Sequence, residues 1–225
     1  MPARSARICS AARRLTSVAA GASAASAPHG AFATAHLRES SATGYPHAVL
    51  VQREDTYTDS AHPTLISHDE HWTDTDGRVT REVLTSAHRV RTQAYAAIIK
   101  TGLLYATKKG QGAWTISVIQ LPKAQLRAVT AQFIGFHSLG DVRRHYADLE
   151  RSATIEKPHL VHVHGRSMIR FVYITMYSKA HWVTYIDPRT GLPIEQTGAG
   201  KRTFFHTSLL QPGTLPATFF ARPRK

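Results

Sequence analysis

The sequence predicts an α+β domain dominated by antiparallel strands, on two observations. Short strand-like runs separated by turn signals recur through both halves of the chain, and one amphipathic helical stretch divides the halves. The first run spans residues 47–58. Asp76-Gly77 reads as a hairpin turn between 71–73 and 79–84, and further runs follow at 94–99, 103–107 and 114–121, with turns at Thr101-Gly102 and 108–112. Five or six strands fit in this half. Trp114, Ile116 and Val118 share one face and Thr115 and Ser117 the other, the period of a half-buried strand.

The middle of the chain changes period. Ser138 is a candidate N-cap, after which Leu139, Val142, Tyr146 and Leu149 recur at helical spacing, with Arg143, Arg144, Asp148 and Glu150 elsewhere on the wheel. This predicts a helix of about three turns. Residues 123–133 offer a second helix through Leu126, Val129 and Phe133, opposed by Gly135 and by β-branched residues, so helix and strand both stay open for 121–137. Strand character returns at 160–163, 169–177 and 181–186. Between 171 and 176 both faces are apolar: Val172, Ile174 and Met176 on one, Phe171, Tyr173 and Thr175 on the other. Such a strand needs cover twice, once from the helix and once from a second layer or an apolar cavity.

Composition narrows the function classes. The 225 residues are 42% hydrophobic, normal for a globular domain, and no window supplies the ~18 consecutive apolar residues of a membrane-spanning helix. Cys9 is the single cysteine, which excludes an intramolecular disulfide and a thiolate metal cage, and the absence of asparagine removes N-glycosylation sites. The net charge of +13 would suit a nucleic acid or an anionic membrane surface. Four of those charges, Arg4, Arg7, Arg13 and Arg14, lie within residues 1–27, and the remaining +9 is spread without a long basic run. That scatter disfavours a nucleic-acid partner and leaves a membrane surface open.

Residues 1–27 read as a targeting segment: arginines, a short apolar stretch around Leu15 and Val18, and Ala-Ser-Ala steps ending at Ala24 and Ala27. Pro28 disfavours cleavage after Ala27, so Ala24 is the better candidate. The segment predicts a secreted, periplasmic or cell-envelope protein; its Arg- and Ser-rich, acid-free composition also fits a mitochondrial transit peptide, and a plain disordered arm is the bland alternative. A linker follows over 28–45, and 46–225 reads as one domain.

The stretch Asp187-Pro188-Arg189-Thr190-Gly191-Leu192-Pro193 is a hairpin in which Pro188 presets the turn and Gly191 supplies the positive φ that closes it. A strand ending in Tyr185-Ile186-Asp187, this turn, a further strand to Phe205 and the closing Leu215-Pro216-Ala217-Thr218-Phe219-Phe220 resemble the C-terminal part of the LolA/RseB-like superfamily of bacterial envelope proteins, lipoprotein carriers and sigma-factor regulators. The resemblance covers about residues 160–220 and is topological over 45–135. It implies a half-open antiparallel barrel of about eight to eleven strands wrapped over one or two helices, with an apolar concave face that holds an acyl chain, a lipoprotein or a protein partner.

Trp114, Ile116, Phe133, Phe171, Tyr173 and Trp182 are the residues expected to line that face, with ordinary core packing as the alternative for each. His159, His162 and His164, with His68 and His71, have spacings that metals use, yet fourteen histidines make chance clusters easy, so no metal and no cofactor are expected. Asp187 and Glu195 lack a spacing that would bring two carboxylates together, there is no Gly-x-Ser-x-Gly elbow, and residues 198–201 fail as a phosphate loop and read as a turn. The expectation is therefore a non-enzymatic binding domain. An organellar nucleic-acid-associated protein and a metal-dependent hydrolase using the histidines are the alternatives.

Overall fold

Eleven strands form one open, curved antiparallel sheet in a computed structural model of the chain, which describes residues 44–122, 125, 133–153, 155–174 and 179–224. In chain order the elements are β1 (Val49–Thr58), β2 (Leu65–Asp74), β3 (Val79–Ser86), β4 (Arg91–Ile99), β5 (Gly102–Lys109), β6 (Thr115–Gln120), α1 (Leu139–Arg151), β7 (Glu156–Val163), β8 (Arg166–Ile174), β9 (His181–Ile186), β10 (Pro193–Gly198) and β11 (Lys201–Leu210). The sheet order is β6-β5-β4-β3-β2-β1-β11-β10-β9-β8-β7. Each half is a run of hairpins, and β1 pairs with β11 from Val49 opposite Leu210 to Thr58 opposite Lys201. The outer edges are therefore β6 and β7, and the connection between them carries α1 across one face of the sheet, the inner face.

Ser138 caps α1 as its sequence position predicts, its hydroxyl accepting from the Asp141 amide at 3.0 Å. The apolar stripe of the helix then packs on the sheet: Val142 and Tyr146 join Leu50, Phe171, Tyr173, Trp182 and Ile186 in one core, with Leu139 and Leu149 beside them. A second core lies on the opposite, outer face. There Val49, Val51, Val79, Tyr95, Leu104 and Ala106 are covered by Tyr45 and by Leu215, Phe219 and Phe220 of the C-terminal segment. The segment is held by the Tyr95 hydroxyl on the Phe220 carbonyl (3.3 Å), by Arg81, which donates to the Phe219 carbonyl and lies over the Phe219 ring, and by Tyr45 N to Leu215 O at 2.7 Å.

The turns follow their residue chemistry. Gly191 has φ +66 and its amide donates to the Asp187 carbonyl at 2.8 Å, closing the Asp-Pro hairpin as expected. Gly102 has φ +147, and a side chain there would drive into the Ile119 carbonyl of β6. The structure departs from the sequence expectation at β2, which begins at Leu65 rather than at His71; the expected end of β8 at 175–177 lies outside the described residues. Phe171, Val172 and Tyr173 are all buried, so both faces of β8 are covered there, but Ile174 is exposed. The second helix expected at 123–133 falls largely outside the described residues; Phe133 and Ile134 are helical.

Phe171 has no solvent exposure and sits where α1 meets the sheet. Phe171→Ala should lower unfolding free energy by about 3–5 kcal/mol and Phe171→Leu by clearly less, read from urea denaturation. Equal, small effects would mean that this core does not hold the helix.

Candidate functional site

Antiparallel register places three carboxylates on the inner face of neighbouring strands. Glu54 of β1 stands directly opposite Asp69 of β2, and Glu82 of β3 stands opposite His71, two residues along β2 from Asp69. Like charges directly opposite each other destabilise a sheet, and burial beneath the crossover adds a desolvation penalty. Desolvation raises Glu54 to about 7, with the charge of Glu82 adding to it. Asp69 rises to about 8 for the same first reason, with further pushes from Glu82, Glu54 and Glu70 and an opposing hydrogen bond from the Glu70 backbone. Asp69 Oδ1 is buried and has no hydrogen-bond partner among the described residues. Near neutral pH Asp69, and Glu54 in part, therefore hold protons and can act as hydrogen-bond donors, and either can become a counter-charge for a cation.

The histidine beside them is neutral near pH 7. His71 is held below its ordinary value by desolvation, opposed by Glu82. Its Nε2 lies 3.2 Å from the Ile134 carbonyl and 2.7 Å from Thr80 Oγ1. A carbonyl only accepts, so Nε2 carries the proton, and Thr80 turns its own proton to the Trp72 carbonyl at 2.9 Å. Thr73 also donates to the Ile134 carbonyl, at 3.2 Å. Two strand side chains thus fasten the crossover at Ile134. From the other side Tyr146 of α1 packs on Phe205, and desolvation with the charge of Glu54 pushes its phenol well above the ordinary range.

Apolar surface flanks this polar strip on both sides. Toward β6 lie buried Ala96 and Leu103, and Tyr105 stacks with Phe133 at 5.2 Å between ring centroids. Toward β7 lie Phe171, Tyr173 and Trp182 under α1, with Gln196 donating to the Tyr173 and Thr184 hydroxyls. The inner face is therefore amphipathic across its width rather than uniformly apolar.

The six residues expected to line one apolar face do not share it. Phe133, Phe171, Tyr173 and Trp182 lie on the inner side, the last three packed into the α1 core. Trp114 and Ile116 lie on the outer side, against the core that the C-terminal segment covers. Strand parity explains the division, since Ile116 pairs with Ala106, whose side chain faces outward. Two open depressions, one at Thr101, Gln120, Leu121 and Pro122 and one at Gly140, Arg143, Arg144 and Ala147, are lined by none of these six residues.

The histidine groups do not converge either. His68 bonds Asp55 at 2.7 Å on the outer face while His71 points inward, and His164 leaves strand geometry at φ +51. Asp187 is the turn residue it was read as, accepting from the Arg189 amide at 2.8 Å, and buried Glu195 lies 3.5 Å from Arg202. A group not singled out in the sequence, His47, Asp74 and Asp76, brings ligand-type atoms within 4.8 Å of one another. Its buried Asp74 is spent on structure, taking the Tyr45 hydroxyl and the Asp76 amide at the β2–β3 turn. No known protein family and no curated protein matches the chain at a significant level.

A folded-state pKa above the unfolded one means that the folded chain grips the proton more tightly. The stability contributed by the protonated carboxyls is complete below about pH 4 and is lost as pH rises through about 7 for Glu54 and about 8 for Asp69. His71, with its lowered value, contributes in the opposite sense, losing stability as pH falls through its range. Glu54→Gln removes the Glu54 contribution together with the push that its charge gives Asp69. It should match the parent near pH 4 and exceed it by on the order of 1–3 kcal/mol near pH 9, measured by urea denaturation of the full chain. A difference independent of pH would show that Glu54 ionises freely.

Proposed function

We propose that the chain is a non-enzymatic, exported binding domain of LolA/RseB-like, half-open barrel type, working in the cell envelope or outside it. Its inner face receives an amphipathic ligand or an amphipathic segment of a partner protein. The observation that carries this reading is the order of chemistry across that face: apolar surface, then protonatable carboxyls, then apolar surface again. An acyl chain or apolar side chains would lie along the flanks, and a hydrogen-bonding or cationic group would meet Glu54 and Asp69. Carboxyls without a cation among the described residues are costly to keep beneath a cover, and a binding role accounts for that cost.

The test is native mass spectrometry of the chain purified without detergent, followed by organic extraction, alongside capture of partners from envelope extract. The expected result is a reproducible small amphiphile or one envelope protein, released on unfolding and bound at least several-fold more weakly by Asp69→Asn. An empty chain that captures no envelope protein overturns the proposal.

A further inference from the structure

We infer that one end of the sheet is a docking surface for an anionic lipid bilayer. This goes beyond the inner-face reading and does not depend on it.

Antiparallel pairing sends alternate turns to opposite ends of the sheet. At one end lie the β1–β2, β3–β4, β5–β6, β8–β9 and β10–β11 connections. Backbone bonds tie adjacent tips together: Gly110 N to Arg91 O at 2.7 Å, Ala87 N to Ile66 O at 2.7 Å, and Asp59 N to Gly200 O at 2.9 Å. The described residues of these tips carry Arg89, Arg91, Lys108, Lys109, Lys179 and Lys201. The one acid among the described residues of these five tips is Asp59, which lies 3.3 Å from Arg202 and is thereby neutralised, and Glu156, which opens β7 at the same end, is paired with Arg170. The opposite end mixes signs, with Arg78, Lys100, Arg166 and Arg189 beside Asp76 and Asp187.

Charge alone would suit any polyanion, and a second property of this end selects a bilayer. Leu65, Val90 and Ile174, exposed at 39%, 38% and 42%, stand at these tips, and Ile155, at 44%, stands where α1 leads into β7. Val90 lies between two arginines on the β3–β4 turn, an apolar group carried at the tip of a basic hairpin. Aliphatic tips amid cations match a headgroup–acyl boundary, where cations meet lipid phosphates and the apolar groups enter below them. Single-stranded nucleic acid calls instead for exposed aromatic faces on which bases stack, and the exposed large apolar residues at this end are all aliphatic.

The experiment is flotation of the full chain with vesicles of phosphatidylcholine, and of phosphatidylcholine mixed with phosphatidylglycerol, across a salt series. The parent should bind only the mixed vesicles, and binding should weaken as salt rises. Each lost cation should cost about fivefold, so the variant Arg89→Gln, Arg91→Gln, Lys108→Gln, Lys109→Gln should bind at least ~100-fold more weakly. A matched variant at the other end, Arg78→Gln, Lys100→Gln, Arg166→Gln, Arg189→Gln, keeps the N-terminal arginines and the same total charge and should bind like the parent. Val90→Ser should weaken binding several-fold at salt that screens the cations. No binding to the mixed vesicles, or equal losses from the two quadruple variants, overturns the inference. So does tip-dependent binding of an RNA homopolymer by a chain that leaves vesicles unbound.

Discussion

Ten antiparallel residue pairs join β1 to β11, from Val49 opposite Leu210 to Thr58 opposite Lys201. Because β1 also pairs with β2, and β11 with β10, neither strand can be an edge, and the open edges pass to β6 and β7. The chain must then travel from one edge of an eleven-stranded sheet to the other, and it can do so over only one face. The stripe of Leu139, Val142, Tyr146 and Leu149 makes that face the inner one. The β7 edge carries its own protection against further pairing, with Pro158 lacking an amide hydrogen and a register shift between Glu156 and His159.

The two covers sit on opposite faces and over opposite halves of the sheet. Helix α1 covers the inner face of β8 and β9, and the C-terminal segment covers the outer face of β1 to β5. The polar residues of β1 and β2 divide along the same lines. On the outer face their charges are paired near solvent, Arg53 with Glu70 at 2.7 Å and Asp55 with His68 at 2.7 Å, an arrangement that costs little. On the inner face Glu54 stands opposite Asp69, and among the described residues neither is paired with a cation. Among the described residues, the same two strands thus carry compensated charge on one side and carboxyls without a cation on the other, and the second arrangement is the one that folding alone does not call for.

The sequence made the strands and turns legible where local chemistry repeats. The period-two run at 114–118, the Asp187–Pro193 turn and the Ser138 cap all depend on residues within a few positions of one another. The first half of β2 was hidden because residues 67–70, Ser-His-Asp-Glu, are polar on both faces; tertiary pairing between β1 and β3 makes them a strand, not propensity. The inner-face acids were hidden for a related reason. Glu54, Asp69 and Glu82 have no motif spacing and become neighbours only once strand register is fixed. Trp114 and Ile116 were grouped with Phe171 and Tyr173 by residue type, but face assignment is a property of the sheet and sets them on opposite sides.

Net charge conceals a division of the molecule into two electrostatic regions. The acids of the central strands are turned inward or matched on the outer face, whereas the described residues of the five tips at one end hold six cations and one paired acid. Glu54 lies four residues short of the end of β1, about 13 Å at ~3.3 Å per residue. That distance exceeds the Debye length of about 8 Å at physiological salt, so through solvent the carboxyls do little to cancel the tips. A scattered excess of lysine and arginine along the sequence therefore becomes a local one in space, because a meander brings every second turn to the same end. Hairpin topology, rather than any basic run, concentrates the charge.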